Sequence, residues 1–227
     1  MHSISTLQIS GPDAFDFLQS QLTNDLGRLD NEPEILAAWC NPKGRVIWFG
    51  TARKSENGFA LSVPTETAAE IIKRLTVFRF RSKVELEVVD ENQTVDPAFL
   101  LENGYPYIGA AQSEQFTPHM LNLDLLDVIS YDKGCYPGQE IVARTHYKGV
   151  TKRRAMRFAS ASPVSVGDKV QLDGRDIGEV LNVAGNELLA VVPVSKAGEG
   201  LTVNGQELDP RELAYLQADA RDIAGET

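Results

Sequence analysis

Residues 131–144 read Tyr-Asp-Lys-Gly-Cys-Tyr-Pro-Gly-Gln-Glu-Ile-Val-Ala-Arg, which sets one thiol, Cys135, two residues after Lys133. Only the thiolate of a cysteine is a strong nucleophile or metal ligand, and nearby positive charge or a helix N-terminus favours it. Lys133 supplies charge here, and a helix-compatible segment begins near Gln139. Gly134, Pro137 and Gly138 keep the intervening chain a loop, and glycine lets backbone approach a ligand closely. A lone cysteine is also a common small hydrophobe in protein cores. Lys, Tyr, Gly, Pro, Gln and Glu are poor core neighbours, so the sequence favours a partly exposed, functional Cys135. Gln139 and Glu140 suit the first turn of the following helix, where capping would hold the loop in shape. Tyr136 suits either a ligand-stacking ring or a half-buried loop tyrosine.

The second cysteine, Cys40, ends a predicted strand and reads as packed rather than reactive. Two cysteines make neither a disulfide framework nor a four-cysteine metal site. His2, His119 and His146 show no metal-ligand spacing, so no metal centre is expected within one chain.

Charge adds a second candidate. The 227 residues carry a net charge of −10 and a pI near 4.8, which excludes general affinity for nucleic acid or anionic membrane. Yet no acidic residue occurs from Ile141 to Gly167, while Arg144, Lys148, Lys152, Arg153, Arg154 and Arg157 do. This run is either a local anion site or a solvated face paired with carboxylates from elsewhere. A second run, Lys73, Arg74, Arg79, Arg81 and Lys83, reads as solvated. No apolar stretch approaches the roughly 20 residues that span a bilayer, and no secretory signal is apparent, so a cytoplasmic protein is expected.

The elements that position these groups read as α+β. A helix is predicted over 11–22, with Pro12 at its first position, Ser10 as a possible cap, and Phe15, Leu18 and Leu22 on one face. Strands are predicted at 35–41, 46–50 and 59–63, a helix at 64–75, and extended chain from Val77 to Val89. The proline-rich stretch 91–118 reads as loop. Beyond Val150, Asp173-Gly174, Ala184-Gly185-Asn186 and Asn204-Gly205 punctuate short alternating segments, the pattern of hairpins in a small antiparallel barrel or sandwich. The expected divisions are a main domain at 1–152, a barrel at 153–209 and a frayed tail at 210–227.

Lys133-Gly-Cys-Tyr-Pro-Gly-Gln-Glu140, followed by Arg144, Gly149 and Lys152-Arg-Arg154, resembles the signature of the YgfZ-like proteins, relatives of the glycine-cleavage T-protein. Phe17–Asp25, Leu36–Arg45 and Phe116–Asp124 resemble flanking family segments. The resemblance implies a tetrahydrofolate-binding fold with a central cavity, capped by a small C-terminal β-barrel. It implies a role in making or maintaining iron–sulfur clusters, with effects on iron–sulfur-dependent tRNA modification and contact with assembly or client proteins. On this reading Cys135 with Lys133 carries the chemistry, and Glu102, Tyr136, Gln139, Glu140 and Arg144 bind the cofactor. Glu102 corresponds to an acidic residue that faces the pterin in the wider T-protein family. A transient iron–sulfur cluster would need ligands beyond one thiolate. The chain is short for the family between roughly Val89 and Asp96, and folate-stacking aromatics lack clear counterparts near Ile4 and Pro97. Two other readings stand beside this one: a folate-dependent one-carbon transferase, which has no need of a thiol at position 135, and an RNA- or partner-binding module. Only Tyr147 lies in the basic stretch as a base-stacking ring, so no stable nucleic acid binding is expected.

Overall fold

A computed structural model describes residues 1–198 and 200–216, with the backbone alone at 90–92. The chain divides into two units, one made of 1–95, 108–117 and 127–147, the other of 96–107, 118–126 and 148 onward.

The first unit is built on a five-stranded antiparallel sheet. Its strands are β1 (His2–Ser10), β2 (Ile35–Cys40), β3 (Val46–Ser55), β4 (Gly58–Pro64) and β5 (Glu85–Val95), in the order β2-β3-β4-β1-β5. The β2–β3 hairpin places Trp39 opposite Trp48, and both rings are sealed in the core with Leu7, Ile9, Leu18 and Leu61. Helix α2 (Thr65–Phe78) turns Ala68, Ile71 and Leu75 to that core, as their helical spacing predicts. Helix α4 (Gln139–Lys148) begins just after the Cys135 loop.

The structure differs from the sequence reading in four places. The interior strand β1 was not expected. Helix α1 (Ala14–Gln19) is shorter than 11–22; it buries Ala14, Phe17 and Leu18, while Phe15 is exposed. Its N-cap is Asp13, whose carboxylate accepts the Lys83 backbone N–H rather than capping the helix. The stretch from Val77 is not extended at its start. Helix α2 runs on to Phe78, whose ring meets Trp39 edge-on at 6.0 Å, and this burial outweighs the strand preference of Val-Phe. The predicted loop over 91–118 likewise begins inside β5.

The second unit holds helix α3 (Pro97–Glu102) and a closed antiparallel barrel. The barrel strands are β6 (Arg153–Ser160), β7 (Lys169–Leu172), β8 (Arg175–Ala184), β9 (Glu187–Pro193), β10 (Thr202–Val203) and β11 (Gln206–Arg211), ordered β10-β11-β6-β9-β8-β7. Phe158, Val170, Val180, Leu188, Val192 and Leu208 fill it. Asp173-Gly174 and Asn204-Gly205 close two of its hairpins with positive φ at both residues, the backbone that tight two-residue turns require. Of the expected tail, 210–211 belong to β11, and 217–227 lie outside the described residues.

Candidate functional site

The Cys135 loop is held from below by residues 19–25, Gln-Ser-Gln-Leu-Thr-Asn-Asp. This segment carries polar side chains into the interior and satisfies them there. The Thr23 hydroxyl donates to the Val128 carbonyl at 2.8 Å and accepts the Ala38 N–H at 3.0 Å. The Asn24 amide donates to the carbonyls of Leu36 and Asp127 at 2.8 and 2.9 Å. Asp25 accepts from the Gly27 N–H and the Gln19 amide; these bonds hold its carboxyl below the usual range, and Lys133 and Arg28 add to the effect. One atom is left over. Gln21 is 7% exposed and its Oε1 has no hydrogen-bond partner. A buried acceptor without a donor is costly, which makes Gln21 a candidate site residue that sequence reasoning missed.

Lys133 reaches into this segment. Its ammonium donates to the carbonyls of Gln19, Leu22 and Asn24 at 2.6, 2.6 and 3.1 Å. The chain leaving α1 has spare carbonyl oxygens, and a half-buried cation satisfies three of them at once. Burial pushes the Lys133 ammonium down to about 8, with Asp25 pulling the other way. Its Nζ also lies 5.5 Å from the centre of the Tyr136 ring. The sequence reading gave Lys133 the task of charging Cys135; in the fold its hydrogen bonds are spent on anchoring the loop.

Gly138 and Gly44 fix the far end. Gly138 has φ +81°, and a Cβ there would lie 2.5 Å from the Asn41 carbonyl oxygen and 2.8 Å from the Gly44 Cα. A Cβ on Gly44 would meet the Ile141 side chain at 2.9 Å. The close approach that the glycine permits is therefore to the β2–β3 turn, not to a ligand. Gly134 has open space around it.

Between these anchors Cys135 is exposed and free. Tyr136 beside it is buried at 6% exposure, and burial pushes its hydroxyl above the ordinary range. Its ring supports the loop. At the start of α4, the Gln139 N–H already donates to the Tyr136 carbonyl and the Ile141 N–H to that of Gly138, leaving fewer free donors than expected. Glu140 pairs with Arg144 at 3.0 Å in solvent rather than capping the helix. Glu102 ends α3 in the second unit and is exposed.

The basic run resolves into mostly committed groups. Arg154 holds Asp124 through two bonds of 2.9 and 2.8 Å and also reaches the His119 carbonyl, fixing 118–126 to β6. Arg157 pairs with Glu187, and Arg153 donates to the carbonyls of Ile177 and Val191. These three arginines build the second unit, so the anion-site reading loses half of its cations.

Comparison with known proteins agrees with the signature. Residues 152–217 match the family described as CAF17, C-terminal beta-barrel domain. The chain is 26% identical to the tRNA-modifying protein YgfZ of Vibrio atlanticus over an alignment of 286 positions, gaps included, covering 96% of this chain and 87% of that one. The Escherichia coli O157:H7 counterpart is 27% identical over 287, covering 95% and 87%. A stretch of the Sodalis glossinidius YgfZ protein reaches 45% over 74 residues, covering 32% of this chain and 23% of its own. The fold matches aminomethyltransferase T of the glycine cleavage system from Bartonella henselae, with a TM-score of 0.66 at 13% identity, over 94% of this chain and 86% of that one. The resemblance read from residues 133–140 therefore holds: the chain is similar to YgfZ proteins along nearly its whole length, on a T-protein-like fold whose C-terminal barrel matches the CAF17 barrel family.

Proposed function

We propose that this protein is a tetrahydrofolate-binding accessory factor for iron–sulfur cluster assembly or repair, acting in support of iron–sulfur-dependent tRNA modification. The observation that carries the reading is the contrast around Cys135: an exposed thiol on a loop anchored by Lys133 at one end and Gly138 at the other. Such a group is presented to a partner rather than packed. One thiolate cannot hold a cluster, so assembly or client proteins, or a small thiol, supply the remaining ligands.

The residues of the first unit fit a folate in kind. Gln21 Oε1 is an acceptor in want of a donor, which a pterin N–H supplies. Arg144 is bound only by a solvent-exposed pair with Glu140, a weak competitor for a folate carboxylate. Tyr136, Gln139 and Glu140 shape the loop; Glu102 as a pterin acceptor rests on the family resemblance. Bound tetrahydrofolate would supply a carrier of one-carbon units. The T-protein-like fold keeps one-carbon transfer as the second reading, and an assay of one-carbon release separates the two.

The test is complementation in a bacterium lacking its own YgfZ-like factor, read as the level of an iron–sulfur-dependent tRNA modification. Wild type restores the modification and Cys135→Ser does not. Equal rescue by both removes the thiol from the account. Failure of both, with folded protein in the cell, removes the proposed role.

A further inference from the structure

The fold brings Tyr131 against two adjacent rings, His146 and Tyr147, that follow it on the far side of the Cys135 loop. Tyr131, two residues before Lys133, stacks on His146 with ring centres 3.8 Å apart and planes within 17°. Tyr147 stands edge-on to both, 5.9 Å from Tyr131 and 4.7 Å from His146, and is 66% exposed. His146 and Tyr147 sit on the last turn of α4, the helix that starts at the Cys135 loop, and Tyr131 comes from the chain before that loop. At 1.5 Å per residue, Tyr147 lies about 12 Å along the axis from Gln139.

Cations flank the rings. Arg144 is one turn before Tyr147, Lys148 follows it, and no carboxylate occurs in the chain from Ile141 to Gly167. Arg144's pair with Glu140 is solvent-exposed on both sides, so it yields readily to another anion. His146 and Tyr147 are exposed and bury little area for folding, but they offer flat π-faces. Flat faces beside exposed cations suit unpaired nucleotides: bases stack on the rings and phosphates meet the cations. An acidic peptide would use the cations and leave the rings idle.

We propose that Tyr131, His146 and Tyr147 form a stacking platform for unpaired bases of an RNA, with Arg144 and Lys148 receiving its phosphates. Binding is transient, in keeping with a chain of net charge −10, which excludes a stable complex over the whole surface. The inference goes beyond the accessory role and stands apart from the thiol.

Fluorescence anisotropy of the whole protein with a labelled unmodified tRNA transcript and a short single-stranded RNA tests it, with polyglutamate as the competing acidic polymer. Both RNAs bind, more weakly as salt rises. Tyr147→Ala weakens binding at least about fivefold, the lower end of what one stacked base is worth. Tyr147→Phe binds as wild type, Arg144→Glu binds more weakly, and Cys135→Ser is unchanged, which keeps this test distinct from complementation. Thermal melts check that each variant is folded. The proposal is overturned if neither RNA binds, if Tyr147→Ala binds as tightly as wild type, if duplex RNA binds as well as the single strand, or if polyglutamate displaces the RNA equally well, the last outcome assigning the patch to an acidic protein.

Discussion

Cys40 and Cys135 belong to the same unit, yet their surroundings are opposite. Cys40 ends β2, is fully buried, and burial alone pushes its thiol up to about 12. At neutral pH such a thiol is almost never a thiolate. Cys135 stands exposed on a loop. The two regions touch through Gly44 and Gly138, the turn after Cys40 meeting the start of α4 after Cys135. The β2–β3 hairpin thus seals one cysteine and props the loop that presents the other. Exposure here is decided by the anchors of a loop more than by charged neighbours in sequence.

That contrast can be strained from either anchor. Gly138→Ala has the larger expected effect. A methyl group at φ +81° and 2.5 Å from a carbonyl oxygen forces the hairpin and the helix apart, at a cost of about 2–4 kcal/mol. A thermal melt reads this as a lowered Tm, and native thiol labelling should show Cys40 becoming accessible. Lys133→Met is milder. It leaves three partly buried carbonyls without their donor, costing about 1–3 kcal/mol, and frees the loop without opening the hairpin. Urea melts measure the loss, and Cys40 stays protected. The same pair of proteins carries a pH signature. The folded state loses the Lys133 proton near 8, before the unfolded state does near its ordinary 10.5, so wild type gains stability relative to Lys133→Met as pH rises between those values. A gap that narrows over that window contradicts the half-buried, anchoring lysine.

The sequence makes visible what depends on neighbours along the chain. Asp173-Gly174 and Asn204-Gly205 announce barrel hairpins because their left-handed backbone needs such residues, and the spacing of Ala68, Ile71 and Leu75 announces the inner face of α2. The exposed thiol is legible because Cys135 lacks core-forming neighbours. What escapes is settled by distant partners. Lys133 reads as a charge for Cys135 until its bonds to carbonyls more than 100 residues away are seen. Arg154 and Arg157 read as free cations until Asp124 and Glu187, each 30 residues distant, pair with them. The Tyr131–His146 stack joins residues on either side of the signature, and nothing in their spacing foretells it. Gln21 reads as one polar residue of a helix, because the end of α1 at Gln19 is fixed by the Leu22–Trp39 bridge and the Lys133 bonds beyond it.

The most direct test of the account is the ratio of alkylation rates of the two thiols in the native protein at neutral pH, read by peptide mass spectrometry. Cys135 should label to completion while Cys40 stays unmodified until denaturant is added. Comparable rates for the two, or Cys40 labelling first, would contradict a loop that presents one thiol over a hairpin that seals the other.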